Sequence, residues 1–178
     1  MNYETGKWGI MEEFNKEKFK AVLHFIINEC GHKQNFGRTV LYKLLYFSDF
    51  DFYEINENKM TGESYRKIEN GPAPVHFQSN KNELINEGKI KEFEEVYPYY
   101  TQFKYDSLET PSLSLLSEKE IGVIKEVINR CSDMQAGEIS NYSHEDVPYI
   151  VTGNKKIIDY DFVFYRHKKF SVREYEVK

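Results

Sequence analysis

Cysteine is almost missing from this chain: Cys30 and Cys131 are the whole supply in 178 residues. Both stand inside apolar helical patterns, so they are expected as small core hydrophobes rather than as a disulfide framework. No secretory opening is recognisable in the first residues, and a reducing cytoplasm is the expected setting. Long hydrophobic runs are also lacking. None approaches the roughly 20 apolar residues that a membrane-spanning helix needs, so no membrane association is expected. Basic charge is in short supply too: 24 Lys and Arg against 29 Asp and Glu leave a formal charge of −5. That balance gives no electrostatic reason to expect nucleic acid as a ligand.

Recognisable catalytic spacing is absent as well. The histidines include no i, i+4 pair and no nearby paired cysteines, so a zinc site would have to be assembled by tertiary contact alone. Cys30 and His32 stand at a helix C-terminus, which raises a thiol pKa rather than lowering it. Thr5-Gly6-Lys7 lacks the earlier glycine and the preceding strand of a phosphate loop. Gly62 and Gly71 are too far apart for an anion cradle, and Pro72 removes a donor from it. His144-Glu145-Asp146 closes a helix and reads as a cap or loop anchor. Asp49, Asp51 and Glu54 stand on different sides of one helix and form no evident metal cluster. No catalytic residue, metal or cofactor is therefore expected, and the chain does not read as an enzyme.

Aromatic side chains are what the chain has in excess. They make up 16% of residues, with 14 Tyr, 13 Phe and one Trp. Tyrosine offers large contact area with few rotors and is common at interfaces. Asn15 is a fitting N-cap for a first helix through Phe19, Val22, Leu23, Ile26, Ile27 and Cys30, stopped by Gly31. His24 shares a polar side with Glu17, Lys20 and Asn28 and is expected in solvent. A second helix over 38–55 carries Leu41, Leu44, Leu45, Ser48, Phe52 and Ile55 on one stripe, and Tyr42, Tyr46, Asp49 and Tyr53 beside it. A helix apolar nearly all round belongs at the centre of a fold. For its tyrosines, core packing and a partner surface stand level.

Thr61-Gly62 and Asn70-Gly71 bracket a strand-compatible stretch with Tyr65 and Ile68. Pro72 then directs the chain into a third helix over 74–87, whose stripe of Phe77, Leu84 and Ile85 is interrupted by Lys81. Clean alternation of Tyr99, Thr101, Phe103 and Tyr105 predicts a hairpin over 90–106. Ser117-Glu118-Lys119-Glu120 is a capping box before Ile121, Ile124, Val127, Ile128 and Cys131. A short helix over 136–142 and a strand-like segment over 157–165 follow. The expectation is a flexible leader (1–13), one compact α+β, predominantly helical domain (14–165), and a charged tail (166–178).

KLLYFSDFDFYE, then TGESY, then ENGPAP, at these separations, resemble the Panacea or SocA-like antitoxin domain. Gly88-Lys89-Ile90, the hairpin, LSEKE and NYSHED continue the likeness over roughly 14–150. The resemblance implies an antitoxin of a bacterial or phage toxin–antitoxin system that neutralises a co-encoded protein toxin by direct binding. Family members partner with structurally unrelated toxins, so the toxin is not named by its antitoxin. Tyr42, Tyr46, Asp49, Tyr53 and Tyr65 are then candidate partner-binding residues. Tyr65 and the entry formed by Gly71, Pro72 and Pro74 would be a rigid corner seating the third helix against the second, with Gly62 part of the same structural motif. Lys81 and the segment after Ile157 depart from the plain family pattern. A winged-helix DNA-binding regulator is the alternative, built from helix 74–87 and hairpin 90–106. Glu83 and Glu87 oppose Lys81, Lys89 and Lys91 there, and no basic stripe appears. Homo-oligomerisation is left open.

Overall fold

The computed structural model describes residues 14–176. The predicted leader and Thr5-Gly6-Lys7 lie outside the described residues. Helices α1 (Lys16–Cys30) and α2 (Arg38–Asn56) open the fold and are followed by a first hairpin, β1 (Tyr65–Ile68) and β2 (Gly71–Pro74). Helix α3 (Phe77–Asn86) leads into a second hairpin, β3 (Ile90–Val96) and β4 (Thr101–Ser107). Helices α4 (Glu118–Cys131), α5 (Ala136–His144) and α6 (Val147–Ile150) and a 3-10 helix (Tyr160–Tyr165) complete an α+β, mostly helical domain.

Local signals set the ends of the long helices. The Asn15 side chain accepts a hydrogen bond from the Lys18 backbone, and Ser117 and Glu120 exchange both bonds of a capping box. Helix α2 sits at the centre: Leu41, Leu44, Leu45, Phe47, Phe50 and Phe52 are all buried, while Ile55 at its far end is exposed. Cys30 and Cys131 are both in the core, where burial pushes each thiol up to about 11.

Several expectations need correction. The Gly-Pro-x-Pro segment is strand β2, not the entry of a helix, and α3 begins only at Phe77. Its register pairs Tyr65 with Pro74 and Ile68 with Gly71. The Val75 N–H donates to Ser64 O, so by alternation residues 71 and 73 also aim their N–H groups at β1. Pro72 and Pro74 occupy the intervening positions and remove no ladder bond.

The segment over 157–165 is not a strand. It makes one isolated bridge, Arg66 with Ile157, and then winds into the 3-10 helix. Lys156 O and the Ile158 N–H bond the outer edge of β1 at Lys67 N and Tyr65 O. The predicted tail is docked as far as it is described: Arg166 and Phe170 are buried, and Ser171 Oγ and Val172 N donate to the Glu54 carboxylate on α2. His24 is buried rather than solvated, with Nε2 2.9 Å from Ser107 Oγ. Lys81 is buried too, its Nζ 2.8 Å from Glu92 on β3. In both cases the partner comes from the second hairpin, which the helical pattern alone does not reveal.

Candidate partner interface

The five candidate residues separate into two groups. Tyr46 is completely buried, and its hydroxyl donates to Asp146 Oδ2 at 2.9 Å. Tyr65 is equally buried and donates to Asp49 Oδ2 at 2.6 Å. Asp49 also accepts from the Thr61 N–H and hydroxyl. Burial pushes its carboxyl up to about 7, against the pull of the Tyr65 and Thr61 bonds. Burial likewise holds both phenols well above their ordinary range. Three of the candidates, Tyr46, Asp49 and Tyr65, thus lie inside the protein, where they fasten the first hairpin and α6 to α2. A phenol reaches the core only with a hydrogen-bond partner, and here buried carboxylates supply it.

Tyr42 and Tyr53 are half-buried. The Tyr42 ring meets Phe77 edge-on at 4.8 Å, and the Tyr53 hydroxyl donates to Asp161 Oδ1. Gly62 and Gly71 hold φ of 72° and 105°, conformations that side chains disfavour, and a Cβ at Gly71 would strike Lys43 and Ser143. Lys43 itself is buried with Nζ 3.1 Å from Pro72 O, and burial lowers its pKa to about 7.

A family model described as "Antitoxin SocA-like, Panacea domain" matches residues 41–148. The chain belongs to this antitoxin family. No curated protein and no solved structure matches it. The matched span covers α2 from Leu41 onward, both hairpins and Asp146, and so includes both partners of the Asp49–Tyr65 and Tyr46–Asp146 hydrogen bonds.

One element of the same knot lies beyond that span. Arg166 is buried against three carboxylates, Asp51 at 2.8 Å, Glu54 at 3.1 Å and Asp146 at 2.8 Å. Arg130 adds a second cation on Asp51 at 2.6 Å. Asp51 and Glu54 therefore share a cation, whereas Asp49 faces the first hairpin. Sequence reasoning missed Arg166 and Asp146. Two acids three apart on an otherwise apolar helix were the available signal that a buried cation must return to them. Among the described residues no group of three His, Cys, Asp or Glu could hold a metal, and no helix is long and apolar enough to cross a membrane.

The winged-helix alternative loses its recognition helix. Lys81 is the sole cation of α3, and its charge is turned inward onto Glu92. Exposed aromatic side chains lie elsewhere: Tyr99 and Tyr100 protrude with Val96 at the end of the second hairpin, and Tyr165 and Tyr175 are exposed in the C-terminal segment. Tyr97 and Tyr100 border a groove of about 660 Å³ with Arg38, Phe103 and the first turns of α2 and α5. The Tyr97-Pro98-Tyr99-Tyr100 turn was the signal for this surface, since a proline turn carrying three phenols has no strand face on which to bury them.

Proposed function

We propose that this protein is an antitoxin that silences a co-encoded protein toxin by direct binding in the cytoplasm, without catalysis or cofactor. Membership of the SocA-like antitoxin family carries the proposal. The use of the buried ionisable groups supports it: Asp49, Asp51, Glu54, Asp146 and Arg166 are each engaged in internal pairs that hold elements together. Tyr46, Asp49 and Tyr65 are set aside as direct partner contacts because they are buried, and Tyr42 and Tyr53 are retained.

Co-expression with the product of the adjacent reading frame tests the proposal. The neighbour alone should arrest growth, and this chain should restore it and co-purify with it. A harmless neighbour, or rescue without a complex, would count against direct neutralisation.

A further inference from the structure

The register of the second hairpin ends at Val96 opposite Thr101, leaving Tyr97-Pro98-Tyr99-Tyr100 as its tip. The tip is ordered. Tyr97 N donates to Tyr100 O at 2.9 Å, and the two rings stack with centroids 4.7 Å apart. Yet its side chains do little for the fold. Tyr99 is 96% exposed, Val96 79% and Tyr100 61%, and among the described residues neither the Tyr99 nor the Tyr100 hydroxyl has a hydrogen-bond partner. Tyr46, Tyr53, Tyr65 and Tyr160 all spend their hydroxyls on internal acceptors.

The charge carried by the tip and the adjoining strand residues has one sign. From Glu92 to Phe103 the strands carry three glutamates and no Lys or Arg. Glu92 is neutralised by Arg38 and Lys81, but among the described residues Glu94 and Glu95 have no ion pair. Lys104, the next cation along β4, is buried and donates to Lys33 O and Gln34 O. The free end is thus a rigid, tyrosine-rich projection whose two carboxylates have no ion pair among the described residues, Glu95 accepting a hydrogen bond from the Tyr97 hydroxyl at 2.8 Å.

We infer that this tip, Glu94 to Tyr100, is a binding finger for a basic protein surface, the arginine- or lysine-rich face of the co-encoded toxin. The inference rests on the antitoxin proposal and adds to it a surface and a partner chemistry. Guanidinium and ammonium groups are attracted to phenol faces and pair with carboxylates, and tyrosine contributes contact area at low conformational cost. A phosphate backbone is repelled by the same carboxylates. A second copy of the chain docked tip to tip would bring Glu94 and Glu95 against their own counterparts.

The experiment is titration calorimetry of the full chain against the purified product of the adjacent reading frame, at low and high salt. Tyr99→Ala with Tyr100→Ala should weaken binding by about 30-fold or more, the scale of interface hot spots. Glu94→Lys with Glu95→Lys should weaken it about tenfold at low salt and flatten its salt dependence. Glu126→Lys on α4 is the control and should bind as wild type. All variants should keep the wild-type melting temperature. If wild type binds and the finger variants bind equally well, the finger is overturned while the antitoxin proposal stands. If wild type itself neither binds nor rescues growth, both fall. If the variants instead abolish self-association and leave toxin affinity intact, the tip is a homomeric contact and the inference is wrong.

Discussion

The two hairpins are built from similar sequence material and meet opposite fates. Each has a tight turn, tyrosine and an antiparallel register, yet Tyr65 in the first is fully buried and Tyr99 in the second is almost fully exposed. The difference lies in what surrounds them. The first hairpin has β1 covered on its outer edge by the chain around Lys156 and Ile158, with Asp49 of α2 waiting for the Tyr65 hydroxyl. The second is anchored along its strands, where Tyr105 and Lys104 are buried, Glu92 meets Arg38 and Lys81, and Arg38 lies over the Phe103 ring, while its tip projects. Tyr65 marks the core and Tyr99 the surface, and the presence of an internal acceptor for the hydroxyl separates these two residues.

The sharpest way to break the first hairpin is Tyr65→Ala, which empties a core position and strands Asp49. It should cost about 3–5 kcal/mol in chemical denaturation. A loss below about 1 kcal/mol would mean that the hairpin is not fastened to α2 through this residue. Gly71→Ala attacks the same hairpin at its turn. It combines a disfavoured backbone conformation with a collision against Lys43 and Ser143. About 2–3 kcal/mol of destabilisation is expected, read as a lowered urea midpoint with an unchanged slope.

The helices were legible because their signals are local. Asn15, the Ser117 capping box and the apolar periods of α1, α2 and α4 all act within one or two turns, and the structure has each of them. The aromatic character of α2 likewise pointed to a central helix. Residues whose role depends on distant chain were misread. Lys81 and His24 look like polar interruptions until the second hairpin supplies Glu92 and Ser107. Pro72 and Pro74 look like a helix entry until β1 takes the alternate N–H groups. The tyrosines of α2 could not be sorted, because the acceptor that draws Tyr46 inward is Asp146, from a different part of the chain. Arg166 was assigned to the tail because charge in a terminal segment ordinarily faces water, and the three carboxylates it satisfies are assembled only by folding.

Lys43 gives a subtler contrast, since it is the cation lodged under the first hairpin, bonded to Pro72 O with no carboxylate ion pair among the described residues. Burial lowers its pKa from 10.5 to about 7. Between those values the unfolded chain holds the proton and the folded chain does not, so this group makes stability rise with pH across the window. Lys43→Met removes the buried ammonium and should be more stable than wild type at pH 6 by about 1–3 kcal/mol. The advantage should shrink as pH climbs toward 10, where the neutral amine still bonds Pro72 O. Parallel stability profiles for the two proteins across that range would show that Lys43 is not desolvated as its position demands.

The smallest effect is expected at the tip of the second hairpin. Replacing residues 97–100 by Asn-Gly keeps Val96 opposite Thr101 and substitutes a two-residue turn whose twist suits an antiparallel pair. It deletes the Tyr97–Tyr100 stack and the Tyr97 to Tyr100 backbone bond, but both are internal to the loop that is removed. The base of the hairpin is untouched, because Ile90, Glu92 and Tyr105 make its contacts with α2 and α3. Shortening the loop also lowers the entropy of closing it, a small gain that offsets the lost stacking. Unfolding free energy should therefore stay within about 0.5 kcal/mol of wild type. A loss of 2 kcal/mol or more would mean that the exposed tyrosines support the body of the protein through the groove beside Arg38. The two hairpins would then differ in degree of burial, not in role.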